Sequence, residues 1–194
     1  MKGRLVYVVG PSGSGKDSVI DYARKRLPAD APVAFARRTI TRPAMAGHED
    51  HVVATQAEFD TLRAGGAFAM HWRANGLAYG IGREITGWLD EGRTVVVSGS
   101  REHLPLALAD FPYIEAVLVT APIETLRARL GLRGREDAAR IEGRLARAAT
   151  LAVPPGIDAL VIANDGELAA AGEKLLAFLA GRFAPLSPPS PRSP

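Results

Sequence analysis

The sequence predicts an α/β fold with a mainly parallel central sheet and helices on both of its faces. Short apolar runs rich in β-branched residues alternate with helix-like segments along most of the chain, which is typical of βαβ units. The first of these runs, residues 5–9, leads directly into a glycine-rich segment that precedes a helix-like segment. With 194 residues, the chain is long enough for one domain of this kind with a small insertion.

The elements can be justified in chain order from their ends as well as from their apolar pattern. The first helix should end before Pro28, and Thr55-Gln56-Ala57-Glu58 has the spacing of a capping box that starts a helix. That helix should end at Gly65-Gly66, and Pro122 suits the first turn of a later helix. The predicted strands are residues 5–9, 33–40, 67–72, 76–80, 94–97, 114–119 and 159–162. The predicted helices are residues 15–27, 55–64, 83–91, 101–109, 136–149 and 167–183, with one more starting near residue 122.

Composition excludes several classes of protein and of site. The chain has no cysteine, which excludes disulfides, thiolate nucleophiles and cysteine-based zinc sites. No apolar run approaches the roughly 20 residues that cross a bilayer, and the charged start is a poor signal peptide, so we expect a cytoplasmic protein without a membrane partner. A net charge of +3 suits phosphate-bearing small molecules at least as well as nucleic acid, and we expect no nucleic-acid partner. Whether the protein is a homodimer is left open. We expect one domain over residues 1–183 and a disordered, proline- and serine-rich tail over residues 184–194.

The glycine-rich segment has the spacing G-x-x-x-x-G-K of a phosphate-binding loop, between a strand and a helix N-terminus. Its glycines let backbone N–H groups point inward around a β-phosphate, while Lys16 bridges the β- and γ-phosphates. An incidental glycine-rich turn is the weaker alternative. We therefore expect ATP as a cofactor and Lys16 as a catalytic cation. The residues expected to bind ATP here are Gly10, Pro11, Ser12, Gly13, Ser14, Gly15, Lys16, Asp17 and Ser18.

Asp17 departs from this motif, which has a serine or threonine after the lysine to bind Mg²⁺. A carboxylate is a hard, charged oxygen ligand and could hold the metal itself or through water. The alternative is that Asp17 only caps the helix N-terminus, where a negative charge is favourable. We expect Mg²⁺ as a cofactor with Asp17 as its ligand, and keep capping as the alternative.

Beyond this loop, the chain resembles the guanylate kinase family up to about residue 182. The segments that carry the resemblance are Gly10-Pro11-Ser12-Gly13-Ser14-Gly15-Lys16, Thr39-Ile40-Thr41-Arg42-Pro43, Ala57-Glu58-Phe59, Gly65-Gly66-Ala67-Phe68, Tyr79-Gly80, Arg129-Leu130-Gly131-Leu132-Arg133-Gly134, Arg144-Leu145 and Asn164-Asp165. The resemblance implies an acceptor-binding region at about residues 36–82, where Arg42 and Tyr79 hold the acceptor's phosphate. It also implies a mobile lid at about residues 129–144. Arg129, Arg133 and Arg144 would be catalytic there, and Asn164 and Asp165 would lie beside the adenine.

The positions that read guanine in that family are replaced in this chain. The glutamate of the acceptor region is Met70, the threonine after Tyr-Gly is Ile81, and the serine before the phosphate-binding arginine is Arg38. A second phosphate-binding arginine is Met45. Because methionine cannot accept hydrogen bonds from a guanine edge as a carboxylate does, we expect an acceptor with another anionic group in place of the base.

These replacements resemble the ribose 1,5-bisphosphate phosphokinase family of phosphonate catabolism. The segments that carry this second resemblance are Gly15-Lys16-Asp17-Ser18, Ile40-Thr41-Arg42-Pro43, Ala46-Gly47-His48-Glu49, Ala74-Asn75-Gly76-Leu77 and Ser98-Gly99-Ser100-Arg101. The resemblance implies that ATP phosphorylates the 1-phosphate of ribose 1,5-bisphosphate, giving 5-phospho-α-D-ribose 1-diphosphate (PRPP) and ADP. The physical interpretation agrees, since a bisphosphate acceptor requires Arg42 and Tyr79 at one end and a further cation such as Arg38 at the other.

Four further residues are candidates for binding the acceptor, each with an ordinary alternative. Glu49 could accept from ribose hydroxyls or be a surface carboxylate, and Asn75 could contact the sugar or set the turn before Gly76. Ser100 follows a buried strand at the sheet edge where ligands bind, and Arg101 could reach a phosphate or start a helix. Two other functions stay open: a nucleoside monophosphate kinase of altered base preference and a non-catalytic peptide-binding module. The latter is disfavoured because the loop lysine and the lid arginines are present.

Overall fold

The computed structural model describes residues 3–43, 50–132, 138–150 and 157–181. The strands are β1 (Arg4–Val9), β2 (Val33–Phe35), β3 (Arg38–Ile40), β4 (Val52–Val53), β5 (Phe68–Ala74), β6 (Leu77–Gly82), β7 (Thr94–Ser98), β8 (Ile114–Thr120) and β9 (Ala159–Ala163). The helices are α1 (Lys16–Arg26), α2 (Gln56–Ala64), α3 (Glu84–Asp90), α4 (Leu104–Asp110), α5 (Ile123–Leu132), α6 (Ala138–Thr150) and α7 (Leu168–Leu179). Within these ranges no helix is both long and apolar enough to cross a membrane.

The central sheet has the strand order β2-β7-β1-β8-β9, and every neighbouring pair in it is parallel. Alternate residues of β1 enter two different apolar clusters: Tyr7 packs with Val97 on one face, and Val8 packs with Val96 on the other. This alternation follows from the period of two in a strand. Because both faces are covered, the sheet strands read as continuous apolar runs, and the predicted α/β class is confirmed.

The insertion forms a second sheet with the order β4-β3-β6-β5, in which β6 pairs antiparallel with both of its neighbours. The single strand predicted for residues 33–40 is therefore wrong, because β2 belongs to the central sheet and β3 to the insertion. Phe35 is paired with Val96 and Arg38 with Ile81, so the chain changes sheets between them. No glycine or proline marks this change, so the apolar pattern alone cannot reveal it.

Most helix ends agree with the sequence prediction to within a few residues. The capping box is present: the Thr55 hydroxyl accepts from the Glu58 N–H, and the Glu58 carboxylate accepts from the Thr55 N–H at 2.7 Å. The helix predicted from residue 101 begins only at Leu104, because Pro105 occupies its first turn and residues 101–103 form a turn. The last helix, predicted to extend to residue 183, ends already at Leu179, with Ala180 as its C-cap and Gly181 in the left-handed region at a φ of 70°. The predicted tail lies outside the described residues.

Candidate active site

A cleft of about 730 Å³ lies at the carboxyl ends of β1 and β7, between the glycine-rich loop, the β5–β6 hairpin and α6. Ligands of open α/β sheets bind at this edge. Seven cationic and two acidic side chains are in its lining. The cationic side chains are those of Lys16, Arg38, Arg42, Arg73, Arg101, Arg144 and Arg147, and the acidic side chains are those of Asp17 and Glu102. This excess of positive charge suits a ligand with several phosphate groups.

The glycine-rich loop joins β1 to α1 and forms one wall of the cleft. Gly13 and Gly15 have φ angles of 90° and 80°, in the left-handed region that glycine adopts without strain. A Cβ at Gly15 would also collide with the Asn164 side-chain amide. Because α1 begins at Lys16, its first N–H groups and the positive end of its dipole lie at the loop. This is the backbone arrangement that an anion-binding loop requires.

Asn164 and Arg129 contact this loop through its carbonyl oxygens. Asn164 is only 3% exposed, and its Nδ2 donates to the Ser14 carbonyl at 2.7 Å. The Arg129 guanidinium donates to the carbonyls of Gly13 and Ser14 at 3.5 and 3.4 Å. Both residues therefore support the loop and are not among those that line the cleft.

The residues expected to bind ATP thus divide into two groups. Those in the lining of the cleft are Gly10, Pro11, Ser12, Lys16 and Asp17. The others are not in the lining. Gly13, Ser14 and Gly15 lie within the loop, and Ser18 lies on the exposed side of α1 beside a neighbouring cavity of about 640 Å³. Asn164 lies behind the loop, and Asp165 is exposed.

Asp17 is the centre of a polar cluster that joins α1 to both sheets. Its Oδ1 accepts from the Ser98 hydroxyl at 2.6 Å and from the Arg38 guanidinium at 3.1 Å, and its Oδ2 accepts from the Lys16 ammonium at 3.4 Å. Burial raises the pKa of the Asp17 carboxyl, but the charges of Lys16 and Arg38 and the hydrogen bonds outweigh it and hold that pKa well below its usual range. Asp17 is therefore an ionised carboxylate at any physiological pH.

The donors at this edge fit a hard cation such as Mg²⁺. Asp17 supplies a carboxylate and Ser98 a hydroxyl at the carboxyl end of β7. In the part of the chain that the structure describes, no group of three or more histidine, aspartate and glutamate side chains could hold a metal by itself. Mg²⁺ is usually held by one or two carboxylates together with water and substrate phosphates, so this small donor set matches its needs.

Arg38 lies at one end of a row formed by three of the replaced guanine-reading positions, with Ile81 in the middle and Met70 at the other end. On adjacent strands, Arg38 is paired with Ile81, and Ile81 with Met70. Ile81 is fully buried, Met70 is 2% exposed and Arg38 is 5% exposed. The Arg38 guanidinium reaches the cleft, but it is held there by Asp17 and lies 5.6 Å from the centre of the Tyr79 ring. Sequence reasoning placed Arg38 at the acceptor and missed its ion pair with the donor side of the cleft.

Arg42 and Tyr79, the expected ligands of the acceptor's phosphate, both line the cleft. The Tyr79 ring is held by a stack of aromatic rings. Tyr79 lies parallel to Trp72 with 5.5 Å between ring centres, and Trp72 stacks on His103 at 5.1 Å. The contact between Trp72 and Tyr79 follows from cross-strand pairing, because the two residues are opposite each other in the β5–β6 hairpin. Trp72 is thus a site residue that the sequence analysis missed.

The turn after β7 brings Ser100 and Arg101 into the cleft. The Ser100 N–H donates to the buried Tyr7 hydroxyl at 3.2 Å, and that hydroxyl lies 3.0 Å from His103 Nδ1. Arg101 is half-buried, which lowers the pKa of its guanidinium, and it donates to the Ala148 carbonyl at 3.4 Å. Ser100 is therefore fixed through its backbone, and Arg101 contacts the last turn of α6.

α6 carries Arg144, one of the expected catalytic residues, and presents it to the loop. The Arg144 guanidinium donates to the Ser12 hydroxyl at 2.8 Å and lines the cleft. Leu145 follows it and packs against Leu126 and Leu130 of α5, which fixes α6 on its neighbour. Arg133, expected to be catalytic with it, lies outside the described residues, as does Glu49.

Asn75 lies at the tip of the β5–β6 hairpin and has a φ of 51°, so it does set the turn before Gly76. Its side chain has a second use, because Oδ1 accepts from the Arg147 guanidinium at 3.1 Å. Sequence reasoning missed Arg147. A signal was present, since Arg147 is three residues after Arg144 and residues at this spacing share a helix face.

No protein-family model matches the chain. Among curated relatives, it is similar to the ribose 1,5-bisphosphate phosphokinase PhnN of Chromobacterium violaceum, with 54% identity over 179 residues that cover 92% of this chain and 95% of the relative. It is 53% identical to the protein of the same name from Laribacter hongkongensis over 91% of this chain, but spans only 42% of that longer protein.

Among solved structures, the fold is similar to that of a guanylate kinase from Anaplasma phagocytophilum. The TM-score is 0.71 at 17% sequence identity, and the match covers 93% of this chain and 86% of the other. This likeness concerns the fold and confirms the predicted phosphate-loop kinase architecture. With about half of the positions identical to its curated relatives over nearly the whole chain, this protein belongs to the ribose 1,5-bisphosphate phosphokinase PhnN family.

Proposed function

We propose that this protein transfers the γ-phosphoryl group of ATP to the 1-phosphate of ribose 1,5-bisphosphate, giving 5-phospho-α-D-ribose 1-diphosphate and ADP. One observation carries the proposal: a single cationic cleft joins the phosphate loop to Arg42 and Tyr79. Beside it, the row Arg38–Ile81–Met70 offers no side-chain acceptor comparable to a carboxylate for the N–H groups of guanine.

The reaction that we propose needs no general base. An oxygen of the acceptor's 1-phosphate, already ionised at neutral pH, attacks the γ-phosphorus. The bond from that phosphorus to the bridging β–γ oxygen breaks, and ADP leaves with the electron pair. Charge then spreads over the equatorial oxygens of the transferred group, so fixed cations around it lower the barrier more than a proton acceptor would.

The donor side of this reaction is assigned to the loop and α6. Lys16 would hold the β- and γ-phosphates, and Arg144, whose guanidinium already reaches Ser12, would meet the charge of the transferred group. Mg²⁺ at Asp17 and Ser98 would neutralise part of the triphosphate charge. Arg129 would act through the loop carbonyls that it contacts.

The acceptor side is assigned to the insertion and the turn after β7. Arg42 and Tyr79 would hold the 1-phosphate, since a guanidinium fork and a phenol both donate to phosphate oxygens. Arg38 and Arg101 would attract the second phosphate, because both line the same cleft and carry a positive charge that suits a phosphate group. Glu49 is kept as a candidate for the sugar hydroxyls.

The test compares kcat/KM for ribose 1,5-bisphosphate with that for GMP and AMP under one set of conditions. We expect the sugar bisphosphate to be preferred by far, and Arg42→Ala to raise its KM strongly. Arg73 offers a matched control: it also lines the cleft, but its exposed side chain contacts Gln56 and Asp60, so Arg73→Ala should have a small effect. A mononucleotide preferred by about tenfold, or about 1.4 kcal/mol in the transition state, would make this protein a nucleoside monophosphate kinase.

The proposal includes a cytoplasmic enzyme whose substrates are small molecules, in keeping with a net charge of only +3. Analytical sedimentation of the purified protein would distinguish a monomer from the homodimer that the sequence leaves open.

A further inference from the structure

Three side-chain contacts hold α6 on the cleft, and each goes to a different element. Arg144 reaches Ser12 in the phosphate loop at 2.8 Å, and the Ala148 carbonyl accepts from Arg101 after β7 at 3.4 Å. The third is the contact between Arg147 and Asn75 at the tip of the β5–β6 hairpin, at 3.1 Å. Of these three contacts, only the last joins α6 to the insertion, and both of its partners contribute side-chain atoms.

The hairpin that Arg147 contacts also carries a proposed acceptor ligand. β6 begins two residues after Asn75 and contains Tyr79, which lines the cleft. Trp72 on β5 stacks against Tyr79, and β5 pairs with β6 up to the turn, so the tip and the ring belong to the same two-stranded unit. A shift of this hairpin on binding the acceptor would therefore be transmitted to Arg147 through Asn75.

The other end of the connection is Arg144. It is one turn before Arg147 on α6, and both guanidinium groups line the cleft. The opposite side of α6 is held differently: Glu142 forms an exposed ion pair with Arg127 of α5 at 2.9 Å. Removing that outer pair would leave the contacts on the cleft in place.

We propose that Arg147 is a positioning residue that, through Asn75, sets α6 against the acceptor hairpin and thereby places Arg144 over the phosphate loop. This inference rests on the proposed function, since it assigns Arg144 to the donor and Tyr79 to the acceptor. Arg147 itself is not a phosphate ligand in this scheme. Its contact makes the placement of a donor-side cation depend on the acceptor hairpin.

Asn75 allows a clean test because its backbone and side chain can be separated. Glycine tolerates the left-handed conformation of the turn but removes Oδ1, whereas aspartate also tolerates it and keeps an oxygen for Arg147. We expect Asn75→Gly to lower kcat by about tenfold, the size of one charge-assisted hydrogen bond, with little change in the KM for the acceptor. Asn75→Asp should retain most of the activity.

Arg147→Met keeps the apolar stem and removes the donor, so it should reproduce the Asn75→Gly effect. The double variant should be no slower than the slower single variant, because both changes break one contact. Arg127→Met is the matched control on the outer side of α6 and should leave kcat unchanged. If Arg147→Met instead raises the acceptor KM and its effect adds to that of Asn75→Gly, Arg147 binds the acceptor directly and the inference is wrong.

A second measurement separates this inference from the proposed function. Backbone hydrogen exchange in α6 of the ligand-free protein should become faster in Asn75→Gly but not in Asn75→Asp. This readout does not depend on the identity of the acceptor. Equal exchange in the two variants would overturn the role of the contact even if ribose 1,5-bisphosphate is the substrate. Conversely, failure of that acceptor in the wild type, with the exchange difference present, would overturn only the proposed function.

Discussion

The Arg38 guanidinium donates to the Asp17 carboxylate at 3.1 Å, so the residue proposed for the acceptor contacts the residue proposed for the metal. Arg38 is 5% exposed, while about a third of the Asp17 side chain is exposed, so the pair lies at the base of the cleft with its acidic member toward solvent. Lys16 shares the same carboxylate. Two cations therefore surround one anion, which leaves net positive charge where donor and acceptor phosphates would meet.

The first prediction concerns the charge of Asp17. Asp17→Asn keeps the size of the side chain but leaves Arg38 and Lys16 with a neutral partner, so it should raise the Mg²⁺ concentration needed for half-maximal activity. It should also lower the free energy of unfolding, by about 1–3 kcal/mol, because a buried guanidinium loses its counter-charge. Activity as a function of Mg²⁺ and urea unfolding measure the two effects.

Asp21→Asn is the control for this substitution. Asp21 lies on the same helix and pairs with Arg24 at 2.6 Å and Lys25 at 2.7 Å, but all three side chains are well exposed. Exposed pairs contribute at most about 1 kcal/mol, so stability and Mg²⁺ dependence should hardly change. An Asp17→Asn enzyme with the wild-type Mg²⁺ dependence would favour the alternative in which Asp17 only stabilises the helix N-terminus.

The second prediction concerns Lys16, the first residue of α1. Lys16→Ala should abolish turnover, because the cation that bridges the β- and γ-phosphates is lost. Its side chain is not part of an apolar cluster, so circular dichroism and the unfolding midpoint should stay close to the wild type. Near-normal kcat in a folded Lys16→Ala protein would contradict the assignment of the loop to ATP.

The third prediction separates two of the arginines expected to be catalytic. Arg144 lines the cleft, so Arg144→Ala should lower kcat by about 10²-fold with a smaller change in the KM for ATP. Arg129 donates to the loop carbonyls, so Arg129→Ala should mainly weaken ATP binding by loosening the loop. Steady-state kinetics in both substrates distinguishes them. If Arg144→Ala changes only the KM for ATP, Arg144 stabilises the ground state and not the transition state.

Much of the fold could be predicted because its signals are local. The capping box of α2, the apolar run of β1 and the loop glycines each report a conformation that their own residues require. The change of sheets between Phe35 and Arg38 could not be predicted, since the two strands are distinguished only by their distant partners, Val96 and Ile81. Membership of a sheet is a tertiary property that a strand pattern does not contain.

The candidate site likewise contains features that local motifs predict and contacts between distant residues that they do not. The loop, Arg42, Tyr79 and Arg144 could be predicted as candidates because each lies in a motif. Lys16 of the loop and these three residues line the cleft. The ion pair of Arg38 with Asp17 and the contact of Arg147 with Asn75 join residues that are 21 and 72 positions apart. Such contacts depend on how the insertion and α6 pack, and no single segment of sequence encodes them.

The last prediction concerns His103, which lies between the aromatic stack and the turn that carries Arg101. The Ser100 N–H donates to the Tyr7 hydroxyl, which leaves that hydroxyl's own proton for His103 Nδ1 at 3.0 Å. Burial raises the pKa of Tyr7 to about 12, so Tyr7 stays a donor at neutral pH. A neutral imidazole can accept this proton, whereas a protonated imidazole cannot.

Burial lowers the pKa of His103 below its ordinary value, and the neighbouring His71 lowers it further, while Asp110 opposes them. The unfolded chain therefore binds a proton at His103 at a higher pH than the folded protein does. Stability from this group is complete above the unfolded pKa of about 6.5 and is lost as the pH falls toward the folded pKa.

We expect the free energy of unfolding to decrease from about pH 7 to pH 5. His103→Gln, which cannot be protonated but can accept from Tyr7, should flatten this dependence, and His71→Gln should only reduce it. An unchanged slope in the His103→Gln protein, measured by urea unfolding at each pH, would show that His103 is not the group responsible.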